Sequence, residues 1–333
     1  MKIMDLTKLN DILKNEPAYR LKQAKKAIFQ DLIESWSKAK TLPQNLREVL
    51  DKKCSLKINV QASVSVDEKT IKALITLEDG LKIETVLMRH ANGRNTVCVS
   101  SQVGCPLGCS FCATGKLGFK RNLEVFEIVE QVLFFSRYLK TKAAKVGSIV
   151  FMGMGEPFLN YDNVLGAIRI LNDKEGFNLG ARHFSISTVG IIEGIERLSE
   201  ESLQVNLAIS LHAPDDKLRS EIMPINRKYP IKEVLTAIDK YIKTTKSRVM
   251  IEYVMINGVN DSEECAEKLA KLAKRPLVFV NLISYNPTGI FEPSSSGRIK
   301  KFKEVLEKRG VAVTQRYKFG GNIKAACGQL AGE

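Results

Sequence analysis

Apolar residues recur along this chain at two different periods, and the place where one gives way to the other divides it. Over residues 18–37, Leu21, Ala24, Ala27, Ile28, Leu32 and Trp36 fall at helical spacing. Residues 4–15 and the run Leu46 to Leu50 read the same way, with a break at Pro43. Residues 56–64 and 70–78 then alternate apolar and polar, and Glu78, Asp79 and Gly80 form a turn signal after them. Residues 81–89 and 96–100 are expected as further strands. Beyond residue 100 the texture changes. Strands are expected at 147–152, 183–188, 205–210, 248–255, 277–283 and 311–316. Helices are expected at 124–140, near 161–172, near 191–199, and at 231–245, 262–274 and 297–309. Repeated strand–helix alternation predicts parallel βαβ units closing into a full or partial barrel, with polar loops at the strand ends where such folds carry their sites.

Composition narrows the class without changing that picture. The 333 residues are 44% hydrophobic and 26% charged, a globular balance that excludes a disordered or collagenous chain. No run of about 18 apolar residues exists, so no membrane-spanning helix is expected. The polar, periodic N-terminus lacks the apolar core of an export signal, which predicts a cytoplasmic protein. The charge is +14 and uneven: residues 1–60 hold 13 Lys and Arg against 7 Asp and Glu, and residues 298–324 hold 9 against 2. Basic ends around a near-neutral middle point to a polyanion such as nucleic acid. Lys22, Lys25, Lys26, Lys38 and Lys40 on the N-terminal helices are the expected gripping residues.

The candidate chemistry centres on cysteine. Cys105, Cys109 and Cys112 are spaced by four and three residues between Gly104 and Gly115. Three soft thiolates suit an iron–sulfur cluster and leave one iron open to a small molecule. Gly104 and Gly108 let backbone wrap closely around an inorganic group, and Phe111 can shield it. A structural zinc site stays open on spacing alone, with Cys98 as a fourth thiol seven residues upstream. The stretch from Met152 through Gly153, Met154 and Gly155 to Glu156 follows a strand, where two glycines permit close approach to a ligand. Ser187, Ser210, Leu211, His212 and Asn286 lie at or just beyond later strand ends, where a barrel presents its site; each could equally be turn or capping chemistry. Cys327, between Ala326 and Gly328, lies outside any apolar run.

These strings together are specific. CVSSQVGCPLGCSFCATG (98–115), GFKRNL (118–123), FMGMGEP (151–157), SISTVGI (185–191), ISLHAP (209–214), MPIN (223–226) and AACGQLAG (325–332) resemble, in order and along the whole chain, the RlmN/Cfr family of radical S-adenosylmethionine (SAM) RNA methyltransferases. The resemblance implies an α/β fold: a partial (βα)6 TIM-type radical SAM barrel over 98–320, a helical RNA-contacting accessory domain over 1–55, a β extension over 56–97 and a catalytic-cysteine tail over 321–333.

It also implies a site. Cys105, Cys109 and Cys112 would hold a [4Fe-4S] cluster, while Gly155, Glu156, Ser187, Ser210, Leu211, His212 and Asn286 would bind SAM. Cys327 would be methylated by one SAM and then activated by a radical from a second, so two are used per turnover. Cys98 would resolve the resulting RNA adduct through a disulfide, and Glu84 matches the family's proton acceptor. The implied partners are 23S rRNA, a tRNA anticodon loop for some members, an electron donor such as flavodoxin or ferredoxin, and a thiol reductant, with the enzyme itself monomeric. Pro157 after Glu156 is RlmN-like, implying carbon 2 of adenosine, whereas the short chain is closer to Cfr, which modifies carbon 8 and confers antibiotic resistance. A zinc-stabilised RNA-binding protein without chemistry is the reading from a different class. A radical SAM enzyme acting on a small metabolite fits the basic ends and the extra thiol pair less well.

Overall fold

The computed structural model describes residues 6–316 and 320–332. Three helices come first: α1 (Leu6–Leu13), α2 (Ala18–Phe29) and α3 (Gln44–Lys53). Residues 4 and 5 of the expected first helix lie outside the described residues. The helix expected over 18–37 stops eight residues early. Leu32 takes a left-handed φ of 52°, and the N–H groups of Asp31 and Ile33 turn back onto the carbonyls of Lys26 and Ala27. Trp36 keeps the burial its spacing predicts but reaches it from a 3-10 turn, Trp36–Lys38. It is fully buried, and its Nε1 donates to the Cys54 carbonyl at 2.6 Å. Apolar periodicity reports which residues face the core, not the backbone that brings them there.

A single ten-stranded sheet follows. Its first strands, β1 (Asn59–Val64), β2 (Thr70–Thr76) and β3 (Lys82–Arg89), are antiparallel and lead into β4 (Asn95–Val99). A short hairpin, β5 (Gln102–Gly104) and β6 (Phe119–Asn122), encloses the one-turn helix α4 (Ala113–Lys116). These pieces are too short to carry a readable period, and the sequence pattern does not announce them. Then strands and helices alternate as expected: α5 (Val125–Lys140), β7 (Ser148–Phe151), α6 (Tyr161–Asn172), β8 (Phe184–Thr188), α7 (Ile192–Glu200) and β9 (Asn206–Ser210). The unpredicted α8 (Asp216–Ile222) precedes α9 (Ile231–Thr245), β10 (Val249–Met255), α10 (Glu263–Ala273), β11 (Val278–Ser284), α11 (Ser296–Lys308) and β12 (Ala312–Gln315).

The strand order β1-β2-β3-β4-β7-β8-β9-β10-β11-β12 is parallel from β4 onward, a curved α/β sheet with β1 and β12 as its edges. One face of each parallel strand is apolar and packs under the helices: Val97, Ile149, Phe151, Ile186, Ile251, Val280 and Leu282 are all essentially inaccessible. The alternate residues, Thr96, Cys98, Ser148, Val150, Ser185 and Asn281, line the concave side. Period-two alternation therefore places polar and thiol side chains inside the barrel. Helix α5 starts from a reciprocal capping box between Glu124 and Glu127, and Glu127 also holds Arg121 of β6 in a two-pronged pair at 2.7 and 2.8 Å. The N-terminal helices rest on the C-terminal ends of α5 and α6. Lys140 donates to the Asp31 carbonyl at 2.6 Å, and Gln30 donates to the Glu175 carbonyl at 3.0 Å.

Candidate active site

The loop carrying Cys105, Cys109 and Cys112 lies between β5 and α4, at the end of the barrel where the parallel strands finish. It is wound tightly. Gly104 has φ of 73°, and a Cβ there would stand 1.8 Å from the Gly118 carbonyl oxygen, so only glycine lets the hairpin close behind the first thiol. The Cys105 N–H donates to that same carbonyl at 3.0 Å, and the Ser110 N–H donates to Ile222 at 3.0 Å. Phe111 packs edge-on against the His212 ring with centroids 5.1 Å apart.

Burial pushes the Cys105 thiol up to about 12 and Cys109 higher still, each raised further by Cys112. Such thiols become ligands only when a soft metal displaces the proton. The surroundings fit an anionic thiolate cluster. Arg219 is fully buried near Cys109 and donates only to neutral acceptors, namely the carbonyls of Leu211, Tyr229 and Val189 and the Asn226 side chain. No carboxylate pairs with it among the described residues. The three thiols are not drawn together on one metal position among the described residues, but three soft donors on one glycine-tightened loop, beside a buried cation with only Asp216 as a nearby carboxylate, suit a [4Fe-4S] group.

Of the expected cofactor residues, His212 meets this loop through Phe111 and Glu156 through its charge on Cys105 and Cys109. Gly155 has φ of 95° and packs against Gln102 so closely that a Cβ would come within 2.5 Å. Gln102 in turn accepts the Glu156 N–H at 2.8 Å. The Glu156 carboxylate is buried and accepts N–H groups from Phe158 (3.0 Å) and Val189 (2.9 Å); burial raises its pKa to about 7 against the pull of those bonds. Ser187 donates to Glu252 at 2.6 Å and meets Ser210 at 3.1 Å. Leu211 and His212 donate backbone N–H groups to the Glu252 carbonyl. His212 is buried and its Nδ1 accepts the Val254 N–H at 3.1 Å. Burial, helped by Arg219 and Arg316, drops its pKa to about 3, so the ring is neutral and works as a wall. Asn286 donates to the Cys327 carbonyl at 3.1 Å.

Cys98 and Cys327, 229 positions apart in sequence, line one cleft of about 1080 Å3 together with Met152, Asn286 and Arg316. Both are free thiols. Burial and then the neighbouring Cys327 push Cys98 up to about 12. Cys327 is exposed as a residue, yet the protein crowded around its thiol pushes it up to about 11, and Arg316 pulls both down. Arg316 is held at 2.9 Å by Glu252, the carboxylate that also takes Ser187. Sequence reading does not single out Arg316 or Glu252. One follows the last strand and the other lies inside an apolar strand, and only the assembled, open sheet makes them neighbours.

Glu84 lies apart from the cleft lining. It is almost wholly buried on β3, with Lys72 at 2.5 Å on Oε1. Its Oε2 accepts the N–H groups of Ala331 (2.7 Å) and Gly332 (3.2 Å). The tail bearing Cys327 is further fixed by Ala113 N–H to Gly328 (2.8 Å), Thr114 Oγ1 to Leu330 (2.6 Å) and Gln329 Nε2 to Pro287 (3.2 Å). Of the remaining thiols, Cys54 is buried at the end of α3 and Cys265 sits half-buried in the first turn of α10, and neither lines the cleft.

Comparison with known proteins bears on this arrangement. A family model described as the radical SAM superfamily matches residues 99–273. The chain is 46% identical, over 98% of its length and 94% of the relative's, to a probable dual-specificity RNA methyltransferase RlmN of Dictyoglomus thermophilum. It is 43% identical, over 98% and 91%, to the protein of the same description in Bacillus thuringiensis. A crystal structure of a radical SAM methyltransferase from Sphaerobacter thermophilus superposes with a TM-score of 0.95 at 44% identity, covering 99% of this chain and 98% of that one.

Proposed function

The chain belongs to the radical SAM superfamily and, within it, to the RlmN family of RNA methyltransferases, and from that membership we propose that it methylates carbon 2 of an adenosine in the peptidyl-transferase region of 23S rRNA and also an adenosine in a tRNA anticodon loop. Its cofactors are a [4Fe-4S] cluster and SAM. The observation that carries the mechanistic reading is the meeting of two free thiols, Cys98 and Cys327, around one arginine in a cleft beside the three-thiol loop. Carbon 2 of adenine is electron-poor and has no acidic proton, so it offers no nucleophile for ordinary methyl transfer.

When bound, the cluster and SAM supply the reductive cleavage that yields a hydrogen-abstracting radical. Cys105, Cys109 and Cys112 would hold the cluster, and the Gly155 and Glu156 loop with Ser187, Ser210, Leu211, His212 and Asn286 would bound the SAM site. Cys327 would carry the methyl carbon on its sulfur; after one hydrogen atom is abstracted from it, that carbon bonds carbon 2 of the base, whose own hydrogen leaves as a proton with its electron returned to the oxidised cluster. Arg316 favours the thiolate of Cys327 over the thiol, and Glu252 keeps Arg316 in place. Cys98 then attacks the Cys327 sulfur. The sulfur–carbon bond breaks, its electron pair stays with the carbon, which takes a proton, and a Cys98–Cys327 disulfide remains for an external thiol to reduce. Flavodoxin or ferredoxin is the class of electron donor proposed, and a monomer in the cytoplasm is the proposed state. No helix among the described residues is long and apolar enough to cross a membrane.

Glu84 enters this reading in two capacities that one variant separates. As the clasp of the tail, its loss frees Cys327; as the proton acceptor, its loss stalls a later step. Glu84→Ala is expected to cut SAM-dependent methylation of Cys327 tenfold or more, measured by peptide mass spectrometry without RNA. Full Cys327 methylation with stalled RNA turnover would instead assign Glu84 to proton transfer alone.

The function is tested by nucleoside mass spectrometry of a 23S rRNA fragment and a tRNA after reaction with the reconstituted enzyme. 2-Methyladenosine in both is the expected product. 8-Methyladenosine would place the chain with Cfr-type regiochemistry, and no methyladenosine would overturn the reading.

A further inference from the structure

The cleft that holds both thiols runs the length of the barrel interior. Its walls include Met152, Asn286 and Cys327 beyond the strand ends, and also Thr96, Ser148, Ser185 and Asn206 at the strand starts. At the thiol-loop end Ala325, Ala326, Cys327 and Leu330 of the C-terminal tail line the cleft, and the tail is pinned by Ala113, Thr114, Asn286 and Glu84. At the opposite end the cleft is rimmed by the β1–β2 and β3–β4 turns and by the approach to β8. These bring Lys69, Arg89, Arg94 and Arg182 to its lining. None of the four forms a salt bridge among the described residues, and Lys69 feels a nearby carboxylate, that of Asp67. Asp67, the acid that lines this rim, already accepts from Ser65 Oγ and the Lys69 N–H. The basic N-terminal helices rest on the C-terminal ends of α5 and α6, at the same end of the barrel where β7 and β8 begin.

We propose that the target nucleotide enters the barrel through this strand-start end, with Lys69, Arg89, Arg94 and Arg182 holding the flanking phosphates of folded RNA while the extruded base passes up a polar lumen to Cys98 and Cys327. The volume, about 1080 Å3, is ample for a nucleotide beside its backbone, since pockets for drug-sized ligands run to roughly 300–1,000 Å3. Extruding the base is what chemistry on a base edge demands, and guanidinium groups at the rim without a salt bridge are suited to phosphate, Arg182 meeting the neutral Gln204 amide at 2.8 Å. The lumen offers hydroxyl and amide groups along the route, among them the chain of His90, Thr96 and Ser148 linked at 2.9 and 2.8 Å.

The proposal rests on the RNA methyltransferase reading, and its test keeps the two apart. Holoenzyme carrying Arg94→Glu, Arg182→Glu or both is titrated with a fluorescein-labelled transcript of the 23S rRNA peptidyl-transferase segment at several salt concentrations. The double variant is expected to bind at least tenfold more weakly, and the slope of log K against log salt is expected to fall by about 1–2, the loss of about two phosphate contacts. Methyl transfer from labelled SAM to Cys327 without RNA should be unchanged, showing that the fold and the thiol site survive. Lys116→Glu with Lys120→Glu, at the thiol-loop end, should bind within twofold of wild type. Weakened binding by that pair with normal binding by the rim variants would overturn the proposal. So would wild-type binding and RNA methylation in every rim variant. Failure of the unmodified enzyme to bind or methylate the transcript would remove the RNA reading itself.

Discussion

Cys98→Ala protein is expected to purify with RNA covalently attached. If Cys98 resolves the adduct, its loss leaves the methylene bridge between Cys327 and the base intact, because no other described thiol shares the cleft lining with Cys327. Nuclease digestion should leave a nucleotide fragment on Cys327, detected by peptide mass spectrometry, and RNA turnover should fall to background. Cys98→Ala with Cys327→Ala should carry no RNA. The alternative is a packing role: Cys98 is buried on β4, and removing its sulfur would then cost about 1 kcal/mol and leave turnover near normal. A crosslink-free, active Cys98→Ala protein would refute the resolving role. The two outcomes differ in kind, not degree, so the result does not depend on a small change in stability.

Replacing Cys105, Cys109 or Cys112 singly with Ala is expected to abolish both iron retention and SAM cleavage. Two thiolates do not retain a cubane cluster, and the glycine-tightened loop between β5 and α4 carries no fourth cysteine to replace a lost one. Anaerobically purified wild-type protein should be brown, with about four irons per chain; each variant should be colourless and should form no 5′-deoxyadenosine from SAM. Because Arg219 lies buried beside Cys109 with no salt bridge and only Asp216 as a nearby carboxylate, the variants should also unfold at lower temperature than cluster-loaded wild type, read by calorimetry. Full iron content and cleavage in any one of the three would sink the assignment of that residue.

The alternation of strand and helix after residue 100, the spacing of Cys105, Cys109 and Cys112, and the glycines around them are local properties, and local properties can be read from sequence. Period two and period 3.6 identify strands and helices because each is a repeat of the backbone itself. Cysteine spacing survives for a similar reason: residues three and four apart on one short loop cannot move far from each other. Where the backbone changes course over one or two residues, the pattern is silent. The left-handed Leu32 that ends α2, and the β5–β6 hairpin that brackets the thiols, leave no periodic trace.

What only the tertiary structure decided is which distant residues share a space. Cys98 and Cys327 are far apart in the chain and meet because β4 and the tail lie at the same end of one curved sheet. Arg316 and Glu252 join them from just beyond β12 and from β10, and Glu84 with Lys72 turns a strand carboxylate into the anchor of the tail. Resemblance could assign Glu84 a role, but its partners are set by the register of β2 on β3 and by where the last residues pass. Electrostatic and hydrogen-bond coupling falls off within a few ångströms, so its partners are chosen by chain closure, which no local period encodes.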